Sequence, residues 1–195
     1  MVSLEHVEQV PWARDLARRL LAESLPRRWS HTQGVAHKAE SIAHIVGDKA
    51  ALLISAAWLH DIGYAPGLAE TGFHPLDGAR YLRDSEKTNE YLCRLVAHHS
   101  CAIIEARNRG LDDNLIKEFP AVEGPLLDAL TYSDMTTSPD GRSVTVETRL
   151  AEIASRYGEG VVARSIEEAR QRIIHTARTV SSIIAASGID VSVRC

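Results

Sequence analysis

Apolar residues recur three and four positions apart along most of the chain, the period of helices with one buried face. Leu16, Leu20 and Leu21 share a stripe with Arg14, Arg18 and Arg19 turned outward, and Pro11, in a first-turn position, opens that helix. Pro26 closes it. Ser30 is the expected N-cap of a second helix, whose apolar face runs His31, Val35, Ile42 and Val46. A turn at Gly47-Asp48 then starts the most apolar stretch, Ala50 to Tyr64, which ends in His60-Asp61-Ile62-Gly63.

Pro66-Gly67 opens a loop carrying Tyr64, Glu70 and Phe73, and His74-Pro75 leads into a helix through Leu76, Ala79 and Leu82. Lys87 to Cys101 repeats the pattern, with Leu92, Leu95 and Val96 leading to His98-His99. Ala102 to Asp113 reads as a helix and loop broken at Asn108 to Gly110, and a helix after Pro125 puts Leu127, Leu130 and Asp134 on one face. Thr136 to Arg142 is turn chemistry, followed by helices over Val144 to Tyr157 and Val161 to Ala186. No period-two strand run and no repeat interrupts the series, so the expected architecture is an all-α helical bundle in a single domain, 1–195.

Several strong metal-ligand side chains break the apolar stripes or stand at helix ends. His31 points with its core neighbours, and Asp134 shares the stripe of Leu127 and Leu130. Asp61 faces the negative end of a helix dipole beside apolar side chains, a placement that calls for a nearby cation. His60, His74 and the pair His98-His99 stand at other helix ends.

Composition adds limits rather than chemistry. A chain of 195 residues, 45% hydrophobic and 25% charged, is long enough for one sizeable core. A net charge of −4 argues against a polymeric nucleic acid partner, and no uninterrupted apolar run of membrane-spanning length is evident. Cys93, Cys101 and Cys195 show no Cys-x-x-Cys spacing, so they read as free thiols, and the expected location is cytoplasmic.

Taken together, Ser30-His31-Thr32, Leu59-His60-Asp61-Ile62-Gly63, His74-Pro75-Leu76-Asp77-Gly78-Ala79, Ala97-His98-His99-Ser100 and Tyr132-Ser133-Asp134 form an ordered series. It resembles the HD-domain superfamily of metal-dependent phosphohydrolases, over roughly residues 28 to 142. The resemblance implies a helical fold in which His31, His60, Asp61 and Asp134 bind one metal, while Asp61 bridges to a second held by His74 and His98. His99 is either the ligand in place of His98 or a neighbour of the site. A histidine-rich set with carboxylates suits iron or manganese first, then zinc, cobalt or nickel, over magnesium or calcium.

The activity so implied is hydrolysis of a nucleotide or similar small phosphate ester by a metal-activated hydroxide. Asp61, His99 and Arg28 are the catalytic candidates, with His99 as proton donor to the leaving group. Arg28, Lys38, Thr136 and Arg142 are the candidates for binding the phosphate. Two other readings use the same ligands: a mixed-valence di-iron oxygenase of the superfamily, and a non-catalytic nucleotide sensor. The Gly-Tyr-Pro signature of the cyclic-dinucleotide branch is missing, since the sequence reads Gly63-Tyr64-Ala65-Pro66. His6, His37, His44 and His175 read as surface residues, and Trp29 and Trp58 as core. Ile173, Ile174, Val180 and Ile183 either complete the bundle or form a homodimer contact.

Overall fold

The computed structural model describes residues 4–188. They fold as α1 (Leu4–Leu21), α2 (Pro26–Ile42), α3 (Ala50–Leu59), α4 (His74–Asp84), α5 (Glu90–His98), α6 (Ala102–Arg109), α7 (Asp112–Glu118), α8 (Pro125–Met135), α9 (Val146–Tyr157) and α10 (Val161–Ala186). Short 3-10 turns follow α2, α3 and α5. Among the described residues there is no strand, only an isolated bridge between Thr137 and Ser143.

Helix α3 is apolar on every side because every side is covered. It packs against α1, α2, α5 and α8, with Leu53, Ala56, Ala57, Trp58 and Leu59 in the core. Trp58 stacks on Trp29 at 5.6 Å between ring centroids, so both tryptophans are packing residues at the seam of α2 and α3. A smaller cluster of Met135, Leu150, Ile153, Ala169 and Ile173 joins α8, α9 and α10. Ile173 is buried there and Val180 in the main core, so α10 completes the bundle; Ile183 stays 44% exposed.

Over the first two helices, four positions differ from the sequence reading. Pro11 lies inside α1 rather than at its start, at the cost of one backbone hydrogen bond. Pro26 begins α2 instead of closing α1, since its fixed φ suits a first helical position. Ser30 therefore sits one turn inside, and its hydroxyl donates to the Pro26 carbonyl at 3.1 Å rather than capping. Val46 falls beyond α2, in the 3-10 segment Ala43–Lys49.

The stretch Pro26–Tyr64 is, contrary to expectation, long and apolar enough in composition to qualify as a membrane span. Gly47, at φ 58°, breaks it, and the two halves fold against each other as α2 and α3. Of the histidines read as surface residues, His37 and His175 are exposed, while His44 is half-buried and bonded to Ser187 at 2.9 Å. The side chain of His6, and Cys195, lie outside the described residues.

Two contacts set where the chemistry goes. The Asp77 carboxylate accepts from the Thr71 amide and hydroxyl and from the Gly72 amide, which clamps the loop onto the start of α4. Gly63 lies so close to α4 that a Cβ there would stand 2.0 Å from the His74 carbonyl oxygen. The backbone of the His-Asp turn is thus seated directly on the backbone of His74.

Gly63→Ala is expected to destabilise the fold by about 1–3 kcal/mol through this backbone clash, read by urea or thermal unfolding. Gly67→Ala, where an added Cβ meets nothing within 4 Å, is the control and should be near neutral. Equal stability of the two variants would refute the close approach.

Candidate metal centre

Each histidine reaches the centre from a different helix end. His31 comes from the second turn of α2, His60 caps α3, His74 starts α4, and His99 follows α5. His31 Nδ1 lies 3.0 Å from the Ser138 carbonyl, His60 Nδ1 2.8 Å from that of Ala57, and His99 Nδ1 2.7 Å from that of Val96. A carbonyl only accepts, so each Nδ1 carries the proton and each Nε2 is turned to the centre. This is the orientation in which a histidine binds a metal.

The carboxylate of Asp61 is shared by two groups of ligand atoms. His31, His60 and Asp61 form one, and Asp61, His74 and His99 the other, each with its atoms within 4.8 Å of one another. Asp61 Oδ2 is 3.3 Å from His60 Nε2 and 3.8 Å from His31 Nε2, while Oδ1 is 3.3 Å from His74 Nε2. Asp134 adjoins the first group, its Oδ1 3.0 Å from His31 Nε2, and its Oδ2 accepts from the Ser100 hydroxyl at 2.5 Å.

Burial by itself would push the Asp61 carboxyl up, but Arg28 and His60 outweigh it and hold the group well below the usual range. Arg28 Nη1 donates to Asp61 Oδ2 at 2.7 Å and its guanidinium lies 4.0 Å over the Tyr64 ring, which in turn stacks on His74. Burial lowers both His74 and His99, with neighbouring charge from His99 and His60 respectively acting in the same direction. His60 moves the other way, because the Asp61 carboxylate overcomes its burial.

These residues fit a metal pair. Buried His60 Nε2 has no hydrogen-bond partner. His74 Nε2 and His99 Nε2 converge at 3.3 Å, a contact that His74 makes as donor in one tautomer and as a second ligand nitrogen in the other. That spacing matches the ligand-to-ligand edge, roughly 3.0–3.4 Å, around an ion with metal–nitrogen bonds of about 2.1 Å. The donor set, imidazoles around two carboxylates, suits a divalent metal.

The structure brings together His31, His60, Asp61, His74, Asp134 and Arg28, and it excludes His98. That side chain turns away, its Nε2 2.7 Å from the Phe119 carbonyl, and ties α5 to the end of α7. Successive helical residues point about 100° apart, so only one of the pair can face the cluster, and it is His99. Ser100 and Cys101 follow in left-handed backbone, φ 49° and 62°, a strained kink that swings Ser100 onto Asp134.

Lys38, Thr136 and Arg142 stand away from the cleft over the cluster. Lys38 reaches the Ser143 hydroxyl at 2.5 Å, the Thr136 hydroxyl donates to the Tyr132 carbonyl within its own helix end, and Arg142 is an exposed turn residue. Ser100, Tyr64 and Arg149 do line the cleft, and sequence reasoning passed over all three. For Arg149 a signal existed: it shares the stripe of Val146, Leu150 and Ile153, as Asp134 shares that of its own helix.

A family model, the HD domain, matches residues 28–160. The chain belongs to this family, a superfamily of metal-dependent hydrolases. The match runs past the turn after Asp134 and takes in α9 with Arg149. No curated protein and no solved structure matches the chain significantly.

His99→Ala is expected to lose bound metal, measured by elemental analysis of the purified protein, whereas His98→Ala should keep it. The His98 variant should instead lose stability, by about 1–3 kcal/mol, as the Phe119 carbonyl goes unpaired. Full metal in the His99 variant and none in the other would reverse the assignment.

Proposed function

We propose that the chain is a metal-dependent phosphohydrolase acting on a nucleotide or similar small phosphate ester. The observation that carries this reading is Asp61, whose two oxygens are divided between two histidine groups with a buried arginine alongside. His31, His60, Asp61 and Asp134 would hold one ion, and His74 and His99 a second bridged by Asp61. When bound, such a pair supplies an activated water and neutralises charge on the phosphoryl oxygens. Iron and manganese suit this donor set best.

The chain's own residues supply the rest. Arg28 lines the cleft and presents a fixed fork of donors to phosphoryl oxygens, where transition-state charge develops. Ser100 holds the Asp134 carboxylate in place, and the Tyr64 ring fixes both Arg28 and His74 by stacking. His99 gives up the role of acid to the leaving group, because its Nε2 belongs to the ligand set and burial keeps it neutral. The cleft is small, about 70 Å³, with Ile153, Val162 and Ile166 along one wall, which favours a compact substrate with an apolar or ring-bearing part.

The test is anaerobic phosphate release from a panel of nucleotides and sugar phosphates, with manganese or ferrous iron, and Asp61→Ala alongside. Release without oxygen that falls at least about a thousandfold in the variant is the expected result, given what metal-centred charge stabilisation is worth. Consumption of dioxygen by an iron-loaded protein that releases no phosphate would transfer the assignment to a di-iron oxygenase.

A further inference from the structure

On the far side of Arg28 and Arg149 from the reaction cleft lies a second cavity, of about 300 Å³. Its walls include Arg27, Arg28, His31, Pro139, Arg149 and Arg156, and no carboxylate lines it among the described residues. Arg28 and Arg149 line both cavities, and His31 belongs to the ligand cluster, so the two spaces share a wall.

The charge around this cavity is not balanced from within. Asp140 pairs with Arg27 at 2.9 Å, Glu152 serves both Arg149 and Arg156, and Asp134 of the ligand cluster lies 4.0 Å from Arg149. The fourth arginine, Arg28, has Asp61, the carboxylate that a bound metal would claim. Arg149 is only 6% exposed, and its Nε has no hydrogen-bond partner. A buried guanidinium left partly unpaired is costly unless something completes it.

The backbone adds to the imbalance. Helix α2 begins at this cavity with Leu25 as N-cap, without a side-chain cap and without an acidic residue in its first turn. That turn carries Arg27 and Arg28 instead, so two cations sit at the positive end of a 17-residue helix. Such an arrangement favours an anion at the helix start.

We propose that this cavity is a second anion subsite, which holds a phosphate group other than the one attacked. The substrate is then a compound with at least two phosphate groups, one at the metal cluster and the next beyond the Arg28 and Arg149 wall. The inference rests on the phosphohydrolase reading and narrows it to polyphosphorylated substrates. Arg28 and Arg149 bridge the two groups, while Arg27 and Arg156 hold the outer one.

The test is calorimetric titration of the full chain, as purified with its metal, with inorganic phosphate and with tripolyphosphate. Wild type is compared with Arg27→Gln/Arg156→Gln, whose altered side chains are 63% and 26% exposed, so folding is spared. Thermal melts and metal content after titration check that neither unfolding nor metal capture is being read. Tripolyphosphate should bind wild type at least about tenfold tighter than phosphate, because one molecule spans two subsites.

The double variant should lose about tenfold or more for tripolyphosphate and stay within about twofold for phosphate. Equal binding of the two probes by wild type, or an equal loss for both in the variant, overturns the subsite. The expected binding pattern without phosphate release from any compound would support the cavity and remove the hydrolase. Release from monophosphates alone, unaffected by the double variant, would keep the hydrolase and remove the subsite.

Discussion

The structure is arranged around one buried carboxylate. Asp61 is 2% exposed at the end of the most apolar helix of the chain, where burial and the helix dipole both oppose its charge. It stays ionised because Arg28, His60 and His74 reach it from three different helices. Taking away a single partner of such a buried charge leaves it uncompensated, which typically costs about 3–5 kcal/mol. The packing of α2 and α4 against the end of α3 is therefore a condition of the site as well as of the core.

Backbone detail converts that packing into direction. Gly63 lets α4 touch the His-Asp turn, and the Asp77 clamp fixes the loop between them, so His74 has little freedom in where it points. His60 and His99 are each anchored through Nδ1 to the carbonyl three residues earlier, and His31 to a carbonyl on the turn after α8. The strain at Ser100 and Cys101 belongs to the same design. Backbone of that kind persists only where surrounding contacts over-determine it, and here the Ser100 bond to Asp134 is one of them.

Much of this was legible from the sequence because a polar residue on an apolar stripe is a conflict that needs a reason. His31, Asp61 and Asp134 announced themselves that way, and α10 was placed at Val161–Ala186 by periodicity alone. His98 and His99 were left unseparated although α5 held a signal: Glu90, Arg94 and His98 recur four apart on the polar side, whereas Leu92, Leu95 and Val96 mark the buried one. The kink that swings Ser100 onto Asp134 lies in φ values at Ser100 and Cys101, where neither residue type signals a left-handed turn. Pro26 was ambiguous for a related reason: a proline both ends one helix and suits the first position of the next.

Arg28 joins the two halves of the site. It donates to Asp61, the carboxylate that both histidine groups share, and its side chain forms part of the wall between the cluster and the arginine-lined cavity. A cation held at Asp61 would compete with this guanidinium and leave its donors to an anion beside it. Binding at the cluster and binding of an anion would then be linked through one side chain, and by thermodynamic reciprocity by the same factor in each direction. A lysine in its place would lack the planar fork that can serve a carboxylate on one edge and a phosphate on another.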